Sequence, residues 1–252
     1  MTKIAVLSDI HGNIEALTEV VNDLKSRQVS YVVNLGDHVS GPLWVRETLD
    51  FLKKQNWIHI LGNHDRMLIK QNPELHIPSD KFARKLLNKD DIEWLNTLPS
   101  SKLLPDDVYI FHGTPANDSV YLLETVENNK TRLATTLEIE KRLGDDKSPV
   151  MLCGHSHLPR VVQISENCLI VNPGSVGLQA YNDEKPEAHV IENGSPHARY
   201  AILEQKEDNW LVDLIAVSYD YEKAAQKARN NDRRDWEKAL LTGYMNDYTR
   251  DN

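Results

Sequence analysis

Apolar and polar positions alternate with two different periods along the first third of the chain. Ile4–Leu7 is a short apolar run, the pattern of a strand buried on both faces. Asn13 then precedes Ile14, Leu17, Val20, Val21 and Leu24. Their spacing predicts an amphipathic helix, and the Asn side chain is a suitable cap. Tyr31–Leu35 and Trp57–Leu61 are the next strand-like runs. Between them Pro42 predicts the start of a second helix with Val45, Thr48, Leu49 and Leu52 on its inner face. The order βαβαβ predicts a right-handed, mostly parallel sheet.

The rhythm changes further on. Asp90 and Glu93 have capping-box spacing, predicting a short helix that ends near Leu98. Val108–Phe111 reads as a strand, and Thr131–Leu143 as a helix ended by Gly144. Short strands follow at Val150–Cys153, Val161–Ile164, Cys168–Val171, Arg199–Leu203 and Trp210–Val217. Turn pairs such as Asn193-Gly194 and Asp208-Asn209 separate them, which predicts a second sheet packed on the first. From Tyr219 onward the chain is charged and helix-prone, with Ala224, Ala225, Ala228, Trp236, Leu240 and Leu241 as expected buried contacts. No repeat or low-complexity linker divides the chain. Residues 1–252 are therefore expected to form a single α/β domain (α+β by some schemes) with a helical tail over about 219–252.

Composition narrows the function classes. The 252 residues include 29 basic and 38 acidic side chains, a net charge of −9, which argues against an extended nucleic-acid surface. A chain of this length buries about three quarters of its unfolded surface, so it needs no disulfide or structural metal to fold. Cys153 and Cys168 stand alone in apolar runs and read as small core residues. No run approaches the roughly 18 apolar residues of a membrane span. The N-terminal apolar run is too short for a signal peptide, so a cytoplasmic location is expected.

Five motifs follow strand-like runs: Asp9-x-His11, Gly36-Asp37, Gly62-Asn63-His64-Asp65, His112-Gly113 and Gly154-His155-x-His157. Open α/β sheets bind ligands beyond the carboxyl ends of their strands. These segments would therefore bring Asp, His and Asn to one edge, with the glycines before Asp37, Asn63 and His155 allowing sharp turns. Two metal ions sharing one carboxylate use seven such side chains better than one ion does. Imidazole and carboxylate without thiolate favour Mn, Fe or Zn. His59, His76, His189 and His197 lack such context and read as ordinary structural residues, whereas His38 adjoins Asp37 and is a candidate to line the pocket.

In this order the motifs resemble the calcineurin-like metallophosphoesterase superfamily. Phe111-His112-Gly113-Thr114-Pro115, Gly154-His155-Ser156-His157-Leu158-Pro159, Asn172-Pro173-Gly174-Ser175-Val176-Gly177 and the tail from Tyr219 to Gly243 are similar to its compact bacterial and archaeal phosphodiesterase branch. The resemblance implies a four-layer α-β-β-α sandwich with two stacked mixed sheets. It implies one metal held by Asp9, His11, Asp37 and His157, and another held by Asp37, Asn63, His112 and His155, with Asp37 bridging. His64 is then the metal-free catalytic acid, and His38 and Asp65 are candidates for substrate contact or for support behind the ligands. Mn is the expected metal, with Fe or Zn as alternatives. The implied activity is attack of a metal-bridged hydroxide on a phosphodiester or nucleotide pyrophosphate in a small, nucleotide-like substrate, and a homo-oligomer is compatible with it. The alternatives are a phosphomonoesterase, or a catalytically silent metal-binding protein on the same scaffold. Gly36-Asp37-His38-Val39-Ser40-Gly41 departs from the GDxVDRG of related protein phosphatases and lacks its arginine; Arg229 and Arg233 of the tail are candidate substitutes.

Overall fold

The computed structural model describes residues 2–70, 72–207 and 209–245. The strands are β1 (Lys3–Leu7), β2 (Tyr31–Asn34), β3 (Ile58–His59), β4 (Ser101–Leu103), β5 (Val108–Phe111), β6 (Glu124–Glu127), β7 (Lys130–Leu133), β8 (Val150–Leu152), β9 (Arg160–Ser165), β10 (Cys168–Asn172), β11 (Ala180–Asp183), β12 (His189–Glu192), β13 (Ala198–Lys206) and β14 (Asn209–Val217). The helices are α1 (Ile14–Leu24), α2 (Val45–Leu52), α3 (Asn63–Ile69), α4 (Pro78–Arg84), α5 (Lys89–Asn96), α6 (Thr136–Leu143), α7 (Tyr221–Asn230) and α8 (Arg234–Thr242).

The first five-stranded sheet runs β14-β13-β1-β2-β3 and the second β4-β5-β8-β10-β9. Both are mixed. In the first, β1, β2 and β3 are parallel while β13 runs against β1 and β14. In the second, β5, β8 and β10 are parallel and the flanking strands antiparallel. Ile4, Val6, Val33, Leu35, Val108, Ile110, Val150 and Leu152 bury one face of each sheet against the other. Helix α1, with α7 and α8, covers the outer face of the first sheet, and α6 packs on the outer face of the second through Ile139 and Leu143. The layers are therefore α-β-β-α, each face supplied by alternate residues of a strand.

Local chemistry explains most boundaries. The Asn13 side chain accepts from the Ala16 N–H and caps α1 as expected. The second helix begins at Val45 rather than at Pro42, because Trp44 N–H is held by Gly12 O and the preceding residues form a loop against His11. The capping box of α5 is Asn88/Asp91, two residues before the expected pair. Thr131–Leu143 is not one helix. Lys130–Leu133 pairs with β6, and a new helix starts at the Thr135/Glu138 capping box. The third strand shrinks to Ile58–His59. In the tail, Ala224, Ala225, Ala228, Trp236 and Leu240 are buried as expected and Leu241 is half-buried. The Asp208 turn and residues 246–252 of the tail lie outside the described residues. Cys153 is buried and Cys168 partly so, both as free thiols. Among the described residues no helix is long and apolar enough to cross a membrane.

Candidate metal centre

Asp9 and His11 follow β1, Asp37 follows β2, Asn63 and His64 open α3, His112 follows β5, and His155 and His157 follow β8. The carboxyl ends of strands from both sheets thus deliver all eight residues to one region. Asp9, His11 and His157 place one donor atom each within 4.8 Å of one another, and Asp9, Asp37 and His112 do the same. Asp9 Oδ1 lies 3.4 Å from His157 Nε2, 3.8 Å from His112 Nε2 and 3.9 Å from His11 Nε2. Asp37 Oδ2 lies 3.2 Å from His112 Nε2 and 4.0 Å from His11 Nε2. Both carboxylates therefore sit between histidines, so Asp9 shares the central position that the resemblance assigns to Asp37. Asn63 Oδ1 is 3.0 Å from His112 Nε2. The His155 ring stands 5.2 Å from that of His112 without joining either triad, and the His155 backbone N–H donates to Asp9 Oδ2 at 3.2 Å.

The backbone is bent at the candidate ligands themselves. Asp9, His11, Asp37, His155 and His157 all have φ between 51° and 67°, a region that side-chain-bearing residues seldom adopt and that clusters at functional sites. Gly36, at φ 105°, shares the turn before Asp37, but two other adjacent glycines serve a different purpose. A Cβ at Gly62 would stand 2.1 Å from Asp37 Oδ1, and one at Gly154 would stand 2.1 Å from Ser8 Oγ. At these two positions glycine provides room for close approach, and the bend falls on the next ligand or its partner.

The donor set calls for a cation. His11 Nδ1, His112 Nδ1 and His157 Nδ1 each lie 2.7 Å from a backbone carbonyl, of Ser40, Leu35 and Leu178 respectively. A carbonyl only accepts, so each Nδ1 carries a hydrogen, and in its neutral, metal-binding form each ring turns a bare Nε2 inward. His11 Nε2 and His157 Nε2 then oppose each other at 3.1 Å. Asp9 Oδ1 is buried without a hydrogen-bond partner among the described residues. In that form lone pairs and carboxylates converge here, an arrangement that a divalent ion satisfies in place of the protons. Imidazole, carboxylate and amide without thiolate suit Mn, Fe or Zn.

The electrostatics follow from this crowding. Burial works against the charged forms of Asp9 and Asp37, but His157 and His112 outweigh it and hold both carboxyls well below the usual range. Burial, then His157, lowers His11 to about 4. Burial, then His112, lowers His155 to about 3. His112 is pushed up to about 10, because Asp37 and Asp9 outweigh burial there.

His64 lies outside both triads. Its N–H donates to Asp37 Oδ1 at 2.9 Å, its Nδ1 meets Asp80 Oδ1 at 2.8 Å, and 23% of its side-chain surface stays open. Burial opposes the imidazolium, yet Asp37 and Asp80 push it up to about 9. Asp80 had no motif to mark it. It also accepts from Ser40 Oγ at 2.6 Å, while Ser40 O holds His11. Asp65, a candidate for support behind the ligands, accepts N–H bonds from Gly62, Asp37 and His38 at 2.7–3.0 Å. His38 is fully buried with Nδ1 2.7 Å from Asp65, which places it behind the Asp37 loop.

The missing arginine also has a structural reason. A Cβ at Gly41 would stand 2.5 Å from His11 O and 2.7 Å from the Trp236 ring of α8, so that space is taken. The tail cations do not replace it freely. Arg229 is paired with Glu237, and Arg233 with Asp235 and Ser79 Oγ.

Comparison with known proteins agrees with this geometry. The profile of the calcineurin-like phosphoesterases matches residues 2–194. An uncharacterised protein of Methanocaldococcus jannaschii is 26% identical over 255 residues, covering 92% of this chain and 94% of its own. A metallophosphoesterase from Sphaerobacter thermophilus superposes with a TM-score of 0.74 at 22% identity, covering 96% of this chain and 99% of its own. A hypothetical protein from Pyrococcus horikoshii does so with a TM-score of 0.75 at 21% identity, covering 98% and 100%.

Proposed function

The chain belongs to the calcineurin-like phosphoesterase family, and from that premise we propose that it is a dimetal hydrolase of phosphodiester or nucleotide pyrophosphate bonds. The family acts on phosphorylated substrates with divalent metals, and this chain carries the residues to hold them. The observation that carries the reading is the pair of donor triads with His64 poised beside them but outside both. Asp9, His11, Asp37 and His157 would hold one ion, and Asp37, Asn63, His112 and His155 the other. When bound, the ions supply an activated water and neutralise phosphoryl oxygens.

The chain's own groups do the rest. Asp80 fixes His64 Nδ1, and His64 Nε2 makes no hydrogen bond to any described residue. That nitrogen is free to give its proton to the leaving oxygen, and the two carboxylates keep the ring charged for the task. Asp65 ties Gly62, Asp37 and His38 together and so sets the distance between the ligand loops.

The expected substrate is small and nucleotide-like, with a singly charged phosphoryl group. No arginine fits at Gly41 to clamp a dianion. The test is kcat/KM for paired nitrophenyl mono- and diesters with Mn²⁺ at matched pH. A diester preference is expected. A monoester preference of about tenfold, roughly 1.4 kcal/mol in the barrier, overturns the substrate class. No turnover of either ester overturns the enzymatic reading in favour of a silent metal-binding protein.

A further inference from the structure

Three of the four candidate histidine ligands are clamped at Nδ1 by backbone carbonyls, and His155 is not. Its hydrogen bonds run through its backbone, and neither ring nitrogen meets a partner among the described residues. The chain is also bent there, with φ at 67°. A metal-binding imidazole needs its orientation fixed from behind, so this ring must be held by something other than a hydrogen bond.

Two tyrosines stand where that support is needed. The His155 ring has Tyr121 at 4.9 Å and His112 at 5.2 Å, ring centre to ring centre. Tyr181 Oη donates to the His155 carbonyl at 3.2 Å, and the Tyr181 ring meets that of His157 edge-on at 4.7 Å.

Both tyrosines are themselves anchored. Tyr121 lies in the loop between β5 and β6 and is 6% exposed. Its hydroxyl stands 2.8 Å from Tyr181 Oη and 3.0 Å from His189 Nε2. His189 Nδ1 lies 2.8 Å from Glu187 O, so that nitrogen carries a hydrogen, and in the neutral ring Nε2 accepts from Tyr121. Tyr121 has one hydrogen to give, which makes Tyr181 the donor to Tyr121 Oη, its hydrogen shared with the His155 carbonyl. Register pairs His189 with Asp183, which shares a strand face with Tyr181, so β11 and β12 present Tyr181 and His189 together. Burial pushes both tyrosine hydroxyls above the ordinary phenol value, and they stay protonated through the neutral range.

We propose that Tyr121 and Tyr181 are positioning residues for His155, with Tyr121 setting the angle of its ring, Tyr181 holding its carbonyl and His189 anchoring the pair. The assignment rests on the dimetal reading, in which His155 holds one ion with Asp37, Asn63 and His112. That ion should depend on the two tyrosines, and the ion held by Asp9, His11, Asp37 and His157 should not.

The test uses the full-length protein loaded with Co²⁺, whose visible absorption reports the geometry around each ion. His155→Ala identifies the band that depends on His155, and release into a chelator is then followed band by band. Tyr121→Leu should alter that band and loosen its ion about tenfold or more, leaving the other ion unchanged. Tyr181→Phe, which keeps the ring on His157, should loosen the same ion about three- to tenfold, as for one lost hydrogen bond. Tyr121→Phe keeps the ring on His155 and should stay closer to the parent than to Tyr121→Leu. Parent-like release from Tyr181→Phe would overturn the proposal, even where Tyr121→Leu did not fold. So would equal loosening of both ions, or a Tyr121→Phe variant as impaired as Tyr121→Leu. A parent chain that takes up a single ion at saturation would instead overturn the dimetal reading itself.

Discussion

His11 and His157 turn their Nε2 atoms toward each other at 3.1 Å while backbone carbonyls hold their opposite nitrogens. Two acceptors at that distance repel unless something positive joins them. The intact protein is therefore expected to carry two transition-metal ions per chain. His157→Ala should mainly empty one position, and Asp37→Asn should weaken both. Metal analysis after Mn²⁺ saturation checks this, and at most one ion in the unmutated chain would rule out the paired site. The companion Asp9→Asn tests the other central carboxylate, since Asp9 Oδ1 lies within 3.9 Å of three histidines.

His64→Gln is expected to keep the metal content and lower turnover roughly 10²–10⁴-fold, most for poor leaving groups. Full activity on an alkyl phosphodiester would remove His64 from the chemistry.

Asp80→Asn should act through His64. The Asp80 carboxylate helps push the imidazole up to about 9. Without it His64 loses its proton at lower pH, so the alkaline limb of the rate profile moves down. An unmoved limb together with a lowered rate would mean that Asp80 only supports the fold.

Asp65→Ala would strand three buried backbone N–H groups and the His38 ring. Each such loss costs about 1–3 kcal/mol, so a destabilisation of about 3 kcal/mol or more is expected in urea unfolding. Metal affinity should fall with it, because Asp37 shares the braced loop. A change under 1 kcal/mol, roughly one hydrogen bond's net worth, would contradict the bracing role.

His59 predicts acid sensitivity. Burial, then His38, lowers it from 6.5 to about 3. As pH falls below the ordinary imidazole value the unfolded chain takes up this proton and the folded chain does not. Stability from this group is thus complete above about 6.5 and is lost progressively down to about 3, with about 2 kcal/mol gone near pH 5. Urea unfolding of His59→Asn at several pH values should show a shallower dependence than the parent, and an identical slope would refute the assignment.

Much of this was legible in the sequence wherever a residue's role depends on near neighbours. The heptad-like spacing from Ile14 to Leu24 and the Asn13 cap describe α1 almost to the residue. The ligand motifs are legible because each follows a strand and strands end at the same edge. Roles set by distant partners were not. Asp80 sits 16 positions from His64 with no pattern between them, and only the packing of α4 brings them together. Asp65 was legible as support behind the ligands, but not that the turn into α3 aims it back at residues 37 and 38. The stretch Thr131–Leu143 has helical composition throughout, but pairing with β6 claims its first residues. The positive φ values at five candidate ligands leave no trace in composition, since Asp and His carry them where glycine would be expected.

The closeness of Trp236 to Gly41 and His11 has a consequence for biosynthesis. The ribosome makes Asp9 and His11 first, but the wall behind them arrives with α8, and β1 lacks its β13 partner until residues 198–206 emerge. At about 5–20 residues per second, roughly ten to fifty seconds separate the first ligand from that last wall. A nascent chain holds only part of the donor set until His157 is made, and from there to Trp236 it holds the full set without that wall. The setting around His11 is therefore complete only once α8 has been made and has docked.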